Sequence, residues 1–252
     1  MLGPITVEIS GGPHAELPAQ LRKVLAVLAL TRDVPLSGEQ LVKRVWDGDP
    51  PRSATQMVRN QIRTLRQLFG DGMQHNRAGY RLAGAGLEID AERFRSLVYE
   101  GRRLRDAGRV GDAVCTWERG VALWRGPEAL VDVQDVPDLQ VAAVGLEELR
   151  FQAEELITEG HLALGSPEEA LPVLQAMTAR HPSRELPWLR LMAAQVLIGR
   201  RVEASGDTYH RAHHHLVEKT GLDAPLLTRV HQALLNGIDG RDVVTMIMTG
   251  AR

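Results

Sequence analysis

SATQMVRNQIRTLRQLF, residues 53–69, reads as a helix with two unlike sides. At about 100° per residue, Met57, Val58, Ile62, Leu65, Leu68 and Phe69 share one arc and are expected to pack on a core. Gln56, Arg59, Asn60, Arg63, Arg66 and Gln67 share the opposite arc. Arg, Asn and Gln carry the forked donors and acceptors that match base edges in a major groove, and Arg also meets phosphate. Taken alone, such a segment is more often a solvated amphipathic helix. The flanking sequence shifts the balance toward nucleic acid.

Upstream, residues 5–9 (ITVEI) alternate as a short strand, and residues 10–13 (SGGP) read as a turn. Pro18 opens the helix AQLRKVLAVLAL, which ends before Thr31 and carries a stripe of Leu21, Val24, Leu25 and Leu28. Residues 34–36 (VPL) form a short extended piece. Ser37 is an N-cap with Glu39 and Gln40 just inside, starting the helix EQLVKRVW. The stiff acidic loop DGDPP, residues 47–51, leads into the opening segment. Residues 73–82 read as a hairpin turning at Ala78-Gly79, and residues 87–89 (LEI) as a last short strand. Strand, three helices and hairpin is the winged helix-turn-helix order.

Beyond Ala91 the chain reads as helical almost throughout. Gly165 and Gly199 lie 34 residues apart, as do Ala170 and Ala204. That is the tetratricopeptide period, with Gly ending one helix and a small Ala where two helices touch. Gly108 and Ala113 repeat the same offset. The predicted organisation is a winged helix over residues 1–90, a helical repeat domain over 91–236, and a tail over 237–252 with no clear pattern, expected to fray.

Composition narrows the function. Across 252 residues the formal charge is −2, but residues 1–90 carry 11 Lys/Arg against 9 Asp/Glu, and the remainder 19 against 23. Residues 52–81 hold six arginines and one acid, Asp71, a local excess suited to phosphate. The longest apolar run, residues 24–30, is too short to span a bilayer. No basic stub followed by an apolar core opens the chain, so a signal peptide is not expected, and a single cysteine, Cys115, fits a reducing compartment. The expectation is a cytoplasmic, nucleoid-associated protein without membrane contact. Cys115 and the tryptophans Trp117, Trp124 and Trp188 are expected in repeat packing. His210, His213 and His214 have a spacing that could hold a metal. No fourth ligand accompanies them, so a solvated helix face is expected and no metal is assigned. Neither a phosphate loop nor a nucleophile motif is present, so no cofactor and no enzymatic activity are expected.

The two halves together resemble the Streptomyces antibiotic regulatory proteins. The likeness runs through Leu2-Gly3-Pro4, Arg22-Lys23 with the apolar run behind it, and Trp46-Asp47-Gly48-Asp49-Pro50-Pro51 with Ser53-Ala54. It continues at Leu65-Arg66, Gly79-Tyr80-Arg81-Leu82, Asp90 and Phe94, then at His181-Pro182-Ser183-Arg184-Glu185, Leu191-Met192, Gly199-Arg200, Glu203-Ala204 and Tyr209. Gly221-Leu222 and residues 227–235 with His231 close it, so that about 235 of the 252 residues are covered. Two departures stand out. Pro225 falls one residue later than the family's Gly-x-x-Pro, and the chain opens directly at Leu2-Gly3-Pro4, so that its first strand is expected to lack a pairing segment seen in longer relatives.

The resemblance implies an OmpR-like winged helix followed by a bacterial transcriptional activation domain. Such a protein is a sequence-specific activator of a secondary-metabolite gene cluster, binding direct repeats in double-stranded DNA as a dimer. Gln56, Arg59, Asn60 and Arg63 are expected to divide between base edges and phosphates, and Arg52 and Arg66 to meet phosphate. Arg77 at the wing is expected on the adjacent backbone or minor groove, the alternative being a solvated hairpin arginine. Asp47 and Asp49 are candidate contacts for a σ or α subunit of RNA polymerase; otherwise Asp49 caps a turn that Pro50-Pro51 stiffen. The rival functions are a repressor of the same fold and a repeat-type interaction scaffold. A basic 53–69 helix argues against the scaffold, whereas activator and repressor differ only in operator position.

Overall fold

The computed structural model describes residues 1–8, 15–84 and 86–250. The turn expected at residues 10–13, and Ile9 before it, lie outside the described residues. By internal contact the chain divides into two compact units, Met1–Val98 with Arg119–Arg150, and Tyr99–Glu118 with Phe151–Arg252.

The first unit holds the winged helix. Strands β1 (Thr6–Val7) and β2 (Ala15–Glu16) pair antiparallel. Helix α1 (Ala19–Leu30) buries Leu21, Val24, Leu25 and Leu28, together with Ala26 and Val27. Helix α2 (Gly38–Trp46) starts on a full capping box: Gln40 N donates to Ser37 Oγ (3.1 Å) and Ser37 N donates to Gln40 Oε1 (2.8 Å). Helix α3 (Ala54–Phe69) has neither Gly nor Pro inside it and stops at Gly70, whose φ of 52° lies in the left-handed region. A single turn, Gly70–Gly72, leads to the wing, β3 (Met73–Asn76) against β4 (Gly79–Leu82). Leu36 bridges to Tyr80 through two 2.8 Å backbone hydrogen bonds, as its extended reading anticipated.

The wing turn and the segment after it differ from their expected form. The wing's loop residues are Arg77 and Ala78, because Gly79 already pairs with Asn76. Residues 87–89 form no strand; Leu87 instead gives its carbonyl to Arg32 Nη2 (2.9 Å), and Ile89 is buried just ahead of the next helix.

Residues 119–150 close the first unit with an acidic row. Asp132 receives Ile5 N (3.0 Å) and faces Arg22 (3.1 Å), Asp135 pairs with Lys23, and Asp138 pairs with Arg44 (3.0 Å). Asp90 accepts from the Met1 amino group (2.7 Å) and from Arg125 (3.0 Å). Burial acts to raise the Asp90 carboxyl's pKa, but the adjacent ammonium and Arg125 outweigh it and hold the group below the ordinary carboxylate value.

Helices α4 (Asp90–Asp106), α5 (Val110–Val121), α6 (Pro137–Ala163), α7 (Pro167–Arg180) and α8 (Glu185–Leu197) follow. After them come the short α9 (Arg201–Glu203) and α10 (Tyr209–His213), with π-helical turns at Ala204–Thr208 and His214–Glu218, and then α11 (Pro225–Leu235) and α12 (Gly240–Gly250). The repeat has a common stereochemistry. Gly108, Gly165 and Gly199 have φ of 76°, 74° and 83°. At each, the following N–H reaches back five residues: Arg109 to Leu104 (2.9 Å), Ser166 to His161 (2.9 Å), Arg200 to Gln195 (2.7 Å). This is the Schellman closure of a helix. The partner residues Ala113, Ala170 and Ala204 have no exposed surface.

Two further expectations fail in the second unit. The tail does not fray over residues 240–250. A fourth Schellman turn at Gly237 (φ 79°) sends Ile238 N to Ala233 O (3.1 Å), and Val243 and Ile247 of α12 join the core of α8 and α11. Cys115 is exposed, not packed inside. On α5 the buried positions are Ala113, Val114, Thr116, Trp117 and Gly120, and position 115 turns away from that arc. Trp117 and Trp188 are buried as expected, while Trp124 is partly exposed and meets the Phe94 ring edge-on at 5.7 Å. No helix among the described residues is long and apolar enough to cross a membrane.

Candidate nucleic-acid interface

Helix α3 divides as its periodicity dictates. Ala54, Val58, Ile62 and Leu65 are buried, and each large apolar side chain so placed contributes about 1.5–3 kcal/mol. Met57, Leu68 and Phe69 lie half-buried at the edge of that face. Gln56, Arg59, Asn60, Arg63, Arg66 and Gln67 are all exposed on the other side, with Thr55 and Thr64 among them. Gln56 Nε2 donates to Asn60 Oδ1 (3.1 Å), so these two amides act as one presented unit. Ser53 precedes the helix without capping it; its hydroxyl turns to Met57 Sδ (3.6 Å). No side chain caps the start of α3, where Ala54 N donates instead to Pro51 O (2.8 Å).

The wing brings further cations. Asn76 Oδ1 accepts from Ala78 N (2.8 Å) and Gly79 N (3.2 Å), which fixes the loop and leaves Arg77 exposed at its tip. Arg81 is engaged elsewhere, donating twice to Gln74 Oε1 across the hairpin (3.1 and 2.7 Å). Arg66 extends toward the wing, its guanidinium 5.8 Å from the centre of the Tyr80 ring.

Electrostatic pairing separates this face from several neighbouring cations, although Lys43, Arg93, Arg95 and Arg119 also form no ion pair among the described residues. Arg22, Lys23, Arg32, Arg44 and Arg125 each have a carboxylate partner. Arg52, Arg59, Arg63, Arg66 and Arg77 form no ion pair among the described residues. Asp47 and Asp49 are also exposed and unpaired there, in the loop after α2, where Asp47 takes a left-handed φ of 43° and Asp49 N closes a turn on Trp46 O (3.1 Å). Sequence reading did not foresee the Tyr80 contact or the withdrawal of Arg81, since both depend on cross-strand register.

The histidines do not form a comparable site. His213 and His214 both turn Nδ1 to Glu218 (3.3 and 2.8 Å), and His210 Nδ1 meets Gly206 O (2.7 Å). Among the described residues no three His, Cys, Asp or Glu side chains gather as a metal site.

A winged helix with an exposed arginine-rich recognition helix, followed by helical repeats, defines a DNA-binding transcriptional regulator. Residues 12–82 match the C-terminal domain of transcriptional regulatory proteins, and residues 89–235 match the bacterial transcriptional activator domain. The chain belongs to the Streptomyces antibiotic regulatory protein family of transcriptional regulators. Relatives include the transcriptional regulatory protein MoaR1 of Mycobacterium tuberculosis, 27% identical over 99% of this chain and 83% of its own length. The regulatory protein DnrI of Streptomyces peucetius is 29% identical over 96% of this chain and 93% of its own. Among solved structures, Mycobacterium tuberculosis EmbR, in complex with a low-affinity phosphopeptide, superposes with a TM-score of 0.82 at 28% identity, over 99% of this chain and 68% of that one. The chain spans 62% of the full EmbR sequence.

Proposed function

We infer that this protein is a sequence-specific activator of a secondary-metabolite gene cluster, which binds direct repeats near the promoter and recruits RNA polymerase. One observation supports the DNA half above the others. Arg22 and Lys23 of α1 and Arg44 of α2 are neutralised by carboxylates, whereas Arg52, Arg59, Arg63, Arg66 and Arg77 are exposed around α3 and the wing and form no ion pair among the described residues. In this reading α3 enters the major groove, Gln56, Arg59, Asn60 and Arg63 meet base edges and nearby phosphates, and Arg52, Arg66 and Arg77 meet the backbone. Two winged helices placed head to tail read one sequence twice in the same orientation, which calls for direct repeats and a dimer on DNA. In this reading the DNA-binding domain runs to residue 90 and the activation domain follows from residue 91, a division that the matched segments 12–82 and 89–235 support. No cofactor or catalysis enters, and the protein acts in the cytoplasm on the nucleoid.

The test is binding to the upstream region of neighbouring biosynthetic genes against shuffled DNA, across a salt series. Log K is expected to fall with log salt by about 0.9 per phosphate neutralised, with a lasting preference for the natural fragment and two tandem footprints. Arg63→Ala is expected to cost about 1–3 kcal/mol and relax base preference at its position. Equal weak binding to both DNAs, or an unaltered Arg63→Ala variant, would sink the assignment. For the polymerase half, the exposed and unpaired Asp47 and Asp49 offer charge to a basic σ or α surface. A double Asp→Asn variant is expected to bind promoter normally and fail in run-off transcription; full activity would reject that role.

A further inference from the structure

The wing has two side-chain pairs on opposite faces, because neighbouring positions of a strand alternate. Gln74 and Arg81 satisfy each other on one face. His75 and Tyr80 share the other, with ring centres 4.6 Å apart and planes inclined by 27°. Tyr80 is among the most firmly held residues of the hairpin. Its N–H and C=O both bond Leu36 at 2.8 Å, and its ring is half-buried. Arg66 lies near this fixed ring, 5.8 Å from its centre, within the range where a guanidinium is attracted to an aromatic face. Arg59 and Arg63, on the same exposed side of α3, have no ring contact among the described residues. A long arginine on an exposed helix face samples many rotamers and loses that freedom on meeting a phosphate.

We propose that Tyr80 is a positioning residue for DNA binding, holding Arg66 over the wing in the direction from which it meets the operator backbone. The inference rests on the DNA reading of α3. In it Tyr80 touches no DNA and acts only through Arg66, while His75 braces the ring from the neighbouring strand. The recognition helix and the wing are thereby coupled at the point where both approach the duplex, so the rim arginine is aimed before DNA arrives.

The test is a double-mutant cycle on operator affinity at fixed salt, using the full chain. Tyr80→Leu is expected to weaken binding roughly 2- to 5-fold, the scale of an exposed cation–ring contact converted to a binding ratio. In an Arg66→Ala background the same change is expected to have no further effect. Tyr80→Phe, which keeps the ring, is expected to bind as the native protein does. Thermal midpoints are recorded for every variant; if Tyr80→Leu does not fold, Tyr80→Met, unbranched and adaptable, repeats the cycle. Additive losses from Tyr80→Leu and Arg66→Ala would overturn the positioning role while leaving Arg66 a DNA contact. Unchanged affinity in Arg66→Ala would instead remove Arg66 from the interface, and the inference with it.

Discussion

At the scale of a residue, Gly79 decides whether the wing can dock. A Cβ there would stand 2.1 Å from Leu36 O, and its φ of 137° is one that L side chains rarely adopt. Gly79→Ala is therefore expected to lose at least about 1–3 kcal/mol from strain alone, and the Leu36 bridge with it. A denaturant midpoint equal to that of the native protein would contradict this. The sequence marked Gly79 as part of a turn. It could not show that the position is pressed against the extended segment before α2, because that contact joins residues more than forty apart. Cys115 makes the same point from the other side. Its apolar neighbours suggested burial, but helix phase turned the thiol outward.

At the scale of an element, α12 was missed and α3 was not. Both carry apolar residues one turn apart, Val243, Met246 and Ile247 in α12. The longer, uninterrupted α3 also shows a strongly polar opposite face, whereas α12 follows Gly237 and is only three turns long. Its stability comes from tertiary packing more than propensity. Ile247 is 2% exposed within the core that includes α8, so Ile247→Ala is expected to cost about 2–5 kcal/mol in urea unfolding. A loss below half a kilocalorie per mole would mean that the tail frays after all. Helix α11 adds a pH dependence. The His231 ring stacks on Tyr209 with centres 3.5 Å apart, and its buried Nδ1 has no hydrogen-bond partner among the described residues. Burial, helped by the charge of His210, lowers its pKa below the ordinary histidine value. A depressed imidazole pKa means that the folded state resists a proton the unfolded state accepts. This contribution is complete above about pH 6.5 and is lost as the pH falls from there through the lowered value. Melting temperatures measured from pH 7.5 to 5.5 are expected to fall less in His231→Phe than in the native chain. Parallel profiles would exclude His231 as the cause.

At the scale of the whole molecule, the winged helix draws part of its support from residues beyond position 90. Ile5, Arg22, Lys23 and Arg44 all bond acids between residues 132 and 138. A fragment of residues 1–90 lacks every one of those acids. It is expected to melt below the intact chain and to bind DNA with a steeper salt dependence, because three cations lose their carboxylates. Equal melting and equal slopes would show a self-sufficient domain with those cations far from DNA.

Local chemistry alone determined the helix periodicities, the Ser37 capping box, the wing's place in the order and the glycine-closed repeat, since each is settled within a few residues of chain. The family resemblance could be read at the same level, because its motifs are local and occur in order. Only the tertiary structure decided which arginines stand unpaired. The partners of Lys23 and Arg44 lie 112 and 94 residues away, and Arg81 meets Gln74 only through strand register. Charge neutralisation acts through space, so a sequence can count cations but not say which are already satisfied.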